Sequence, residues 1–563
     1  LTDPSPPPSL QPGHRLLLAL IVLGGSIVRF ADLDHCPNGF FRDEVEKGYN
    51  AWALATSGGA IDLTPGGFDL TPSAADPPSV RWRRWPFMIN VMGVKTSALY
   101  QYASMPFVGL WGLSVGTTRM AAALAGALTI LAAGWLFMRA WGPWQGLAIA
   151  LWITLSPWHL VFSRWALQGI FVPLLMTLTL IGVFGLERQR RWAFPLIGAA
   201  LGLMFYAYSG AQPLVLAWGA CLVLLYRRSL KWAWALWVGV GLFLVPAFPS
   251  LVVRLTEGGS QRLARVAIWN EEGATAVSVT GRFIFNYITH FGPNFLFFNG
   301  DALPRHSIPE MGQMTLVDMA LLPIGLIWTL RRRRPLAGAL LAAFLCGPIP
   351  AALTREGIPH ALRSIGMLTP AVAWSGVGLA VLAGWLASKV NVPPAEAPAG
   401  RRRSASLNKG QVYGLAVVAA CAVVGLSGVW RYWKTYRGPD SPLVQIAFQN
   451  GERLAWETIA QQKQPGQRVY VHAGSPYSAY YQLFFTRRHP HDAAFRGLAA
   501  DDFVYHDPSR QTPDQVWEGL DSGDWLLEVV HPASVRLTGG GPWITPLQAT
   551  RIREAWVITR HKP

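Results

Sequence analysis

Cysteine is scarce in this sequence: four residues, at 36, 221, 346 and 421, among 563. Three of them fall inside apolar runs and Cys36 has no obvious partner, which excludes a disulfide framework. CxxC pairs and an HExxH run are both lacking, so no metal-ligand spacing is legible. Charge is sparse as well, at 14% Asp, Glu, Lys and Arg, where soluble domains carry about 25%. No A-x-A-like site follows the first apolar run, so that run is expected to persist as an uncleaved first helix.

What fills the space is apolar. The chain is 51% hydrophobic, holds 26 tryptophans and has a mean hydropathy of +0.27. Apolar runs recur at close to the roughly 20 residues that cross a bilayer. The expected fold class is therefore an α-helical polytopic membrane protein with about 11 transmembrane helices. The expected spans are 14–31, 117–138, 143–162, 166–186, 192–210, 213–226, 232–253, 315–330, 335–353, 364–387 and 411–430. The net charge of +17 does not mark a nucleic-acid binder, because residues 441–563 balance 12 basic against 12 acidic side chains. The excess lies in the membrane part, where it reads as topology signal and contact with membrane lipid.

The segments with Arg139, "ERQRR", "RRSLK", "RRRR" and the linker with Lys389, "RRR" and Lys409 carry 16 basic residues and two acids. The positive-inside rule assigns them to the cytoplasm, with the N-terminus inside and the C-terminus outside. Residues 97–112, "SALYQYASMPFVGLWG", suit a helix lying in the interface and are kept out of the span count. The expected organisation is a Pro-rich disordered tail at 1–13 and a transmembrane domain at 14–430. Large outer loops then fall at 32–116 and 254–314, with a cytoplasmic linker at 388–410. A small extracytoplasmic α/β domain at 440–563 has strand-like "RVYVH" and "DWLLEVV" and helix-like "SPYSAYYQLFF" and "TPDQVWEGL".

The polar clusters converge on the outer side. "GFFRDEVEKGYNAW", Gly39 to Trp52, gathers Asp43, Glu44 and Glu46. On a helix Asp43, Lys47 and Asn50 share a face, and Glu44 lies about 100° away, so the neighbouring acids have different surroundings. Such acids serve either as a solvated helix start favoured by the macrodipole or as a general base held near a hydroxyl. "VRWRRWPF" supplies Arg81, Trp82, Arg83, Arg84 and Trp85, a pattern of interfacial anchoring. Lys95, Arg164, Arg305, His306, His360 and Arg363 complete the cationic set expected at that boundary, suited to a phosphorylated lipid.

Together these residues resemble the GT-C glycosyltransferases that use polyprenyl-phosphate sugars, in the branch of protein O-mannosyltransferases and lipid A aminoarabinose transferases. "FFRDEVEKGYNAWAL" is similar to the first-outer-loop DE signature of that family. "VKTSALYQYASMPFVGLWGLSVGTTRMAAALAGALTILAAGWLFMRAWG", "LSPWHLVFSRWALQG", "LPRHSIPEMGQ" and "IPHALRS" resemble the motifs that follow, across residues 20–370. The resemblance implies an inverting transferase. Asp43 would deprotonate an acceptor hydroxyl, Glu44 would position base or acceptor, and Lys95, Arg164, Arg305, His306, His360 and Arg363 would hold the donor phosphate. The acceptor is a protein, lipid or glycan hydroxyl. Some relatives use a divalent metal, and no ligand set is assigned here. Two departures stand out: "KTS" at 95–97, with Thr96 and Ser97 where relatives often have two prolines, and neutral Gln168 where many carry an acid.

Two other functions stay open on the residues alone. A transporter would place ionisable groups deep in its spans, whereas Asp318 sits near an outer end. A noncatalytic accessory or scaffold subunit would account for the two departures and the Trp-rich surface.

Overall fold

A computed structural model describes residues 10–64, 79–229, 233–256, 266–332, 334–390, 409–438, 444, 447–473, 477–496, 498, 502–506, 524–531 and 534–539. Residues 1–9 of the expected 1–13 tail, most of the 388–410 linker and "TPDQVWEGL" lie outside them, and α1 begins two residues inside that tail, at Pro12.

Every expected span is helical over most of its length. They are α1 (Pro12–Phe30), α4 (Val115–Ala140), α5 (Pro143–Leu155) with α6 (Pro157–Phe162), α7 (Phe171–Glu187), α8 (Ala193–Ala207), α9 (Gln212–Tyr226) and α10 (Ala233–Thr256). After α11 (Ala276–Thr289) follow α12 (Asp318–Arg331), α13 (Ala337–Cys346) with α14 (Ile349–Ala352), α15 (Leu368–Val390) and α16 (Lys409–Arg437). Among the described residues seven stretches are long and apolar enough to cross a membrane, and three more are shorter. The protein is an integral membrane protein. Pro157 splits one expected span, because proline at the first turn of α6 cannot extend α5, and Ser156 caps the new start by accepting from the His159 N–H.

The two ends of the bundle differ chemically. At one, the Trp141 indole donates to the Pro335 carbonyl, and Glu187 accepts from Tyr226 and from the Leu336 N–H, close in sequence to Arg188, Arg190, Arg191 and Arg334. At the other lie α2 (Arg42–Ser57), α3 (Leu99–Trp111) and a sheet of β1 (Gly59–Thr64), β2 (Ser79–Arg84), β3 (Met88–Val91) and β4 (Val94–Ser97) in the order β2-β1-β3-β4. The expected first outer loop, 32–116, holds interfacial helices, and the sheet is an addition to them. Met92 and Gly93, both at positive φ, form the tight β3–β4 turn. The 13 residues of α3 reach about 20 Å, too short to span.

The C-terminal part is α/β, as expected. Helices α17 (Asn450–Gln462), α18 (Ser478–Thr486) and α19 (Pro490–Arg496) flank a sheet ordered β6-β5-β7-β8, from β5 (Val469–Ala473), β6 (Phe503–His506), β7 (Trp525–His531) and β8 (Ser534–Gly539). Among the described residues its core is shared with the first loop. Phe40, Val45 and Tyr49 of the α2 region pack in one cluster with Trp456, Tyr480, Phe484 and Trp525.

Candidate functional site

Helix α2 begins where acids suit it and stops at a glycine. Asp43 and Glu44 occupy its first turn, against the positive end of the helix dipole. The Glu44 carboxylate reaches back to accept from the Phe41 N–H at 3.1 Å, satisfying a backbone donor that the helix itself leaves unpaired. Gly58, at φ 67°, takes the left-handed conformation that ends the helix.

Glu44 is fully buried and saturated. It makes a two-pronged pair with Arg119 of α4, at 2.8 and 2.9 Å, and accepts from the Ala166 N–H at 3.0 Å. Arg119 also donates to the carbonyls of Leu33, Pro37 and Gly39, so one pair ties the loop before α2 to the bundle. Arg119 was missed as a site-shaping residue, although a lone arginine in an apolar span is a signal that it has a partner. Glu46 is buried as well, accepting from Asn50 and Gln101 at 3.1 and 2.7 Å and lying 3.4 Å from Lys47 Nζ. Two of the three acids are therefore structural.

Asp43 differs. It is half-buried, and among the described residues its carboxylate has no hydrogen-bond or ion-pair partner. The cation nearest in effect is Arg305: burial draws that guanidinium below its usual pKa, the Asp43 carboxylate raises it again, and Arg42 lowers it. Arg305 lies 4.2 Å from the centre of the Phe41 ring and donates to the Ala447 carbonyl at 3.1 Å. Base candidate and cation thus both adjoin Phe41, and Arg305 bonds to the segment leading into α17.

Other expected residues go elsewhere. Arg164, expected to hold phosphate, is fully buried, and its terminal nitrogens donate to the carbonyls of Val28, Arg29, Ala31 and Cys36 at 2.6–2.9 Å. It closes the open carbonyl end of α1, a corrective finding with a plain cause: helix C-termini leave acceptors that need donors. Lys95 lies in β4 beside Asp62 and Arg83, and burial with the Arg83 charge lowers its pKa. Arg83 itself pairs with Asp62 at 2.6 Å. Trp82, expected as a headgroup anchor, contacts protein: its indole donates to Ser57 at 3.1 Å and its ring lies tilted against His491 of the C-terminal domain, 4.4 Å between ring centres. Arg81, Arg84 and Trp85 are exposed. Arg363 donates to Thr354 at 2.7 Å. Gln168 opens the short 3-10 turn before α7, and Thr96 and Ser97 end β4.

His306 and His360 meet. Their rings stack 4.7 Å apart, and Asp301 lies against both, its carboxylate oxygen 2.9 Å from His306 Nδ1 and 3.7 Å from His360 Nδ1. All three are buried, and one ligand atom from each lies within 4.8 Å of the others. Adjacent ligands of an ion bound at about 2.1 Å are separated by about 3 Å; the two Asp301–His spacings come near that while the set as a whole is wider, so a carboxylate and two imidazoles offer the donor types of a divalent transition metal, which would have to draw them closer. Asp301 was not foreseen, because His360 is far off in sequence and no local spacing announces the cluster. Trp165 joins this cluster to the α2 loop, with its ring 5.7 Å from His306 and 6.0 Å from Phe41.

No protein-family model matches the sequence, and no curated protein matches it either. Among solved structures, ArnT from Cupriavidus metallidurans in the apo state aligns over 92% of this chain and 93% of its own, at 16% identity and a TM-score of 0.50. ArnT from the same organism bound to undecaprenyl phosphate covers the same shares at 14% identity and a TM-score of 0.49. Over nearly its whole length, this chain has an ArnT-like fold, the one that its sequence motifs imply.

Proposed function

We propose that the protein is an inverting glycosyltransferase that moves a sugar from a polyprenyl-phosphate donor to an acceptor hydroxyl on a protein, lipid or glycan. One observation carries this reading: of the three acids in the DE stretch, only Asp43 keeps a carboxylate uncommitted among the described residues, and the Arg305 guanidinium lies on Phe41, two residues before it. Asp43 takes the hydroxyl proton as the oxygen attacks the anomeric carbon; the bond to the phosphate oxygen breaks, and polyprenyl phosphate leaves as an anion. Arg305 stabilises that anion, and because phosphate already leaves well, no general acid is required. Glu44 acts at one remove, by fixing the helix start through Arg119. A divalent ion held by Asp301, His306 and His360 would supply Lewis acidity toward phosphate oxygens. We further assign the Asp43 end to the extracytoplasmic face, since the arginine-rich segments lie at the opposite end.

The test is release of polyprenyl phosphate from a panel of lipid-linked sugars by purified protein with membrane extract as acceptor source. Asp43→Asn, folded as the wild type, is expected to lose about 10²–10⁴-fold in turnover, the usual worth of a general base. Equal turnover by wild type and variant would remove Asp43 from the mechanism. A wild type inert toward every donor, yet co-purifying with stable membrane partners, would favour the accessory-subunit reading.

A further inference from the structure

Arg42 precedes the candidate base in sequence, and among the described residues no hydrogen bond or ion pair takes up its guanidinium, although the buried Glu452 carboxyl responds to its charge. Its backbone N–H donates to Gln449 Oε1 at 2.8 Å. Among the described residues, no acceptor lies within hydrogen-bonding distance of its guanidinium and no carboxylate within ion-pairing distance, although Asp43 and Glu44 follow directly. Instead the guanidinium lies over the Tyr477 ring, 4.7 Å from its centre, with the Phe41 ring at 5.5 Å. Cation–π contact uses the face of the guanidinium and leaves its N–H edge open.

Arg305 is in the same position. It stacks on the other available ring, Phe41, makes one bond to a carbonyl, and has a buried Nε without a partner. The two cations sense each other, which costs energy at rest. A pair of half-buried arginines, each with donor edges unused and each braced by an aromatic ring, is the arrangement that binds a phosphate through charge-assisted bonds. Consecutive residues on a helix point about 100° apart. Arg42 can therefore address one side of a bound sugar and Asp43 another, as inversion demands of leaving group and base.

We propose that Arg42 is a second phosphate-binding residue, and that Arg42 and Arg305 together clasp the phosphate of the polyprenyl donor. Tyr477 and Gln449 of the C-terminal domain hold Arg42 in place, so that domain completes the donor site. Arg42 takes the role that Arg164, committed to backbone carbonyls, does not fill. The inference rests on the lipid-phosphate reading given above.

The experiment measures binding of farnesyl phosphate, farnesol and glucosamine 1-phosphate to the full-length protein in detergent, with melting profiles as a fold control. Wild type is expected to prefer farnesyl phosphate to farnesol. Arg42→Gln should weaken farnesyl phosphate by about tenfold or more and leave farnesol unchanged, as removal of a charged hydrogen bond predicts. Arg42→Lys should recover part of the loss, and combination with Arg305→Gln should be less than additive, since both act on one group. If Arg305→Gln loses affinity while Arg42→Gln binds as wild type does, the Arg42 assignment fails and the donor reading stands. A wild type indifferent to the phosphate would overturn both. Glucosamine 1-phosphate binding that depends on Arg42, with farnesyl phosphate unaffected, would move the residue to a phosphorylated acceptor and end the donor assignment.

Discussion

Two neighbouring carboxylates, Asp43 and Glu44, illustrate how far chemical role depends on what a side chain touches. Glu44 meets a buried arginine and two backbone donors; Asp43 meets neither. Glu44→Ala leaves Arg119 buried without its counter-charge, and breaking such a pair costs about 3–5 kcal/mol. A melting curve should show that loss in full, whereas Asp43→Asn should melt like the wild type. A third acid, Glu452 of α17, adds a pH effect. It is buried, bonded to the Ser478 hydroxyl at 2.6 Å through one oxygen, with the other oxygen unpartnered. Burial pushes its carboxyl up to about 7, while Ser478 and Arg42 oppose the shift. Unfolded, it titrates near about 4.3. Between those values the folded chain holds the extra proton, so stability falls as pH rises through that window. The loss should reach about 4 kcal/mol by pH 8. In Glu452→Gln, which mimics the protonated form, melting at pH 8 should approach that at pH 5.5; an unchanged pH slope would exclude Glu452 as its source.

At the scale of elements, α2 is wedged between the membrane bundle and the C-terminal domain. Gly48 sits at the tightest point: a Cβ there would collide with Thr118 of α4 on one side and Phe484 of α18 on the other. Gly48→Ala should cost about 1–3 kcal/mol through overpacking. It should also lower turnover, because moving α2 moves Asp43; unaltered melting together with unaltered turnover would show that the wedge is looser than its geometry. The helices of the bundle were legible because apolar runs of membrane length leave few alternatives. The role of each arginine was not. Arg164 and Arg305 carry the same side chain at the same boundary, and only the path of the backbone decides that four carbonyls surround Arg164. The 59–97 sheet escaped notice for a related reason. Its strands are short, and "SVRWRR" alternates in a way that equally fits an interfacial anchor until β1 and Asp62 are placed beside it.

For the whole molecule, the C-terminal domain is part of the site's foundation. It was expected as an appended α/β unit of undetermined role, and its composition offered no motif. What sequence could not reveal is that its apolar face matches that of the first loop, since contacts between residues some 400 positions apart leave no local pattern. Tyr49 donates to the Arg488 carbonyl at 2.7 Å, Tyr481 to that of Phe40, and Arg453 to that of Asp34 at 2.9 Å. Gly39 packs so closely on Phe448 that a side chain would not fit. Removing residues 439–563 would uncover the loop's share of that cluster, including Phe40, Val45 and Tyr49, each fully buried in the intact protein, and exposed apolar surface of that kind drives misfolding or aggregation. The truncated chain should keep its helical bundle in detergent but become cleavable by protease between about residues 32 and 112, and bind no prenyl phosphate. A truncation that stayed protected there would show that the first loop folds on its own, and would reduce the C-terminal domain to an accessory of a site already complete without it.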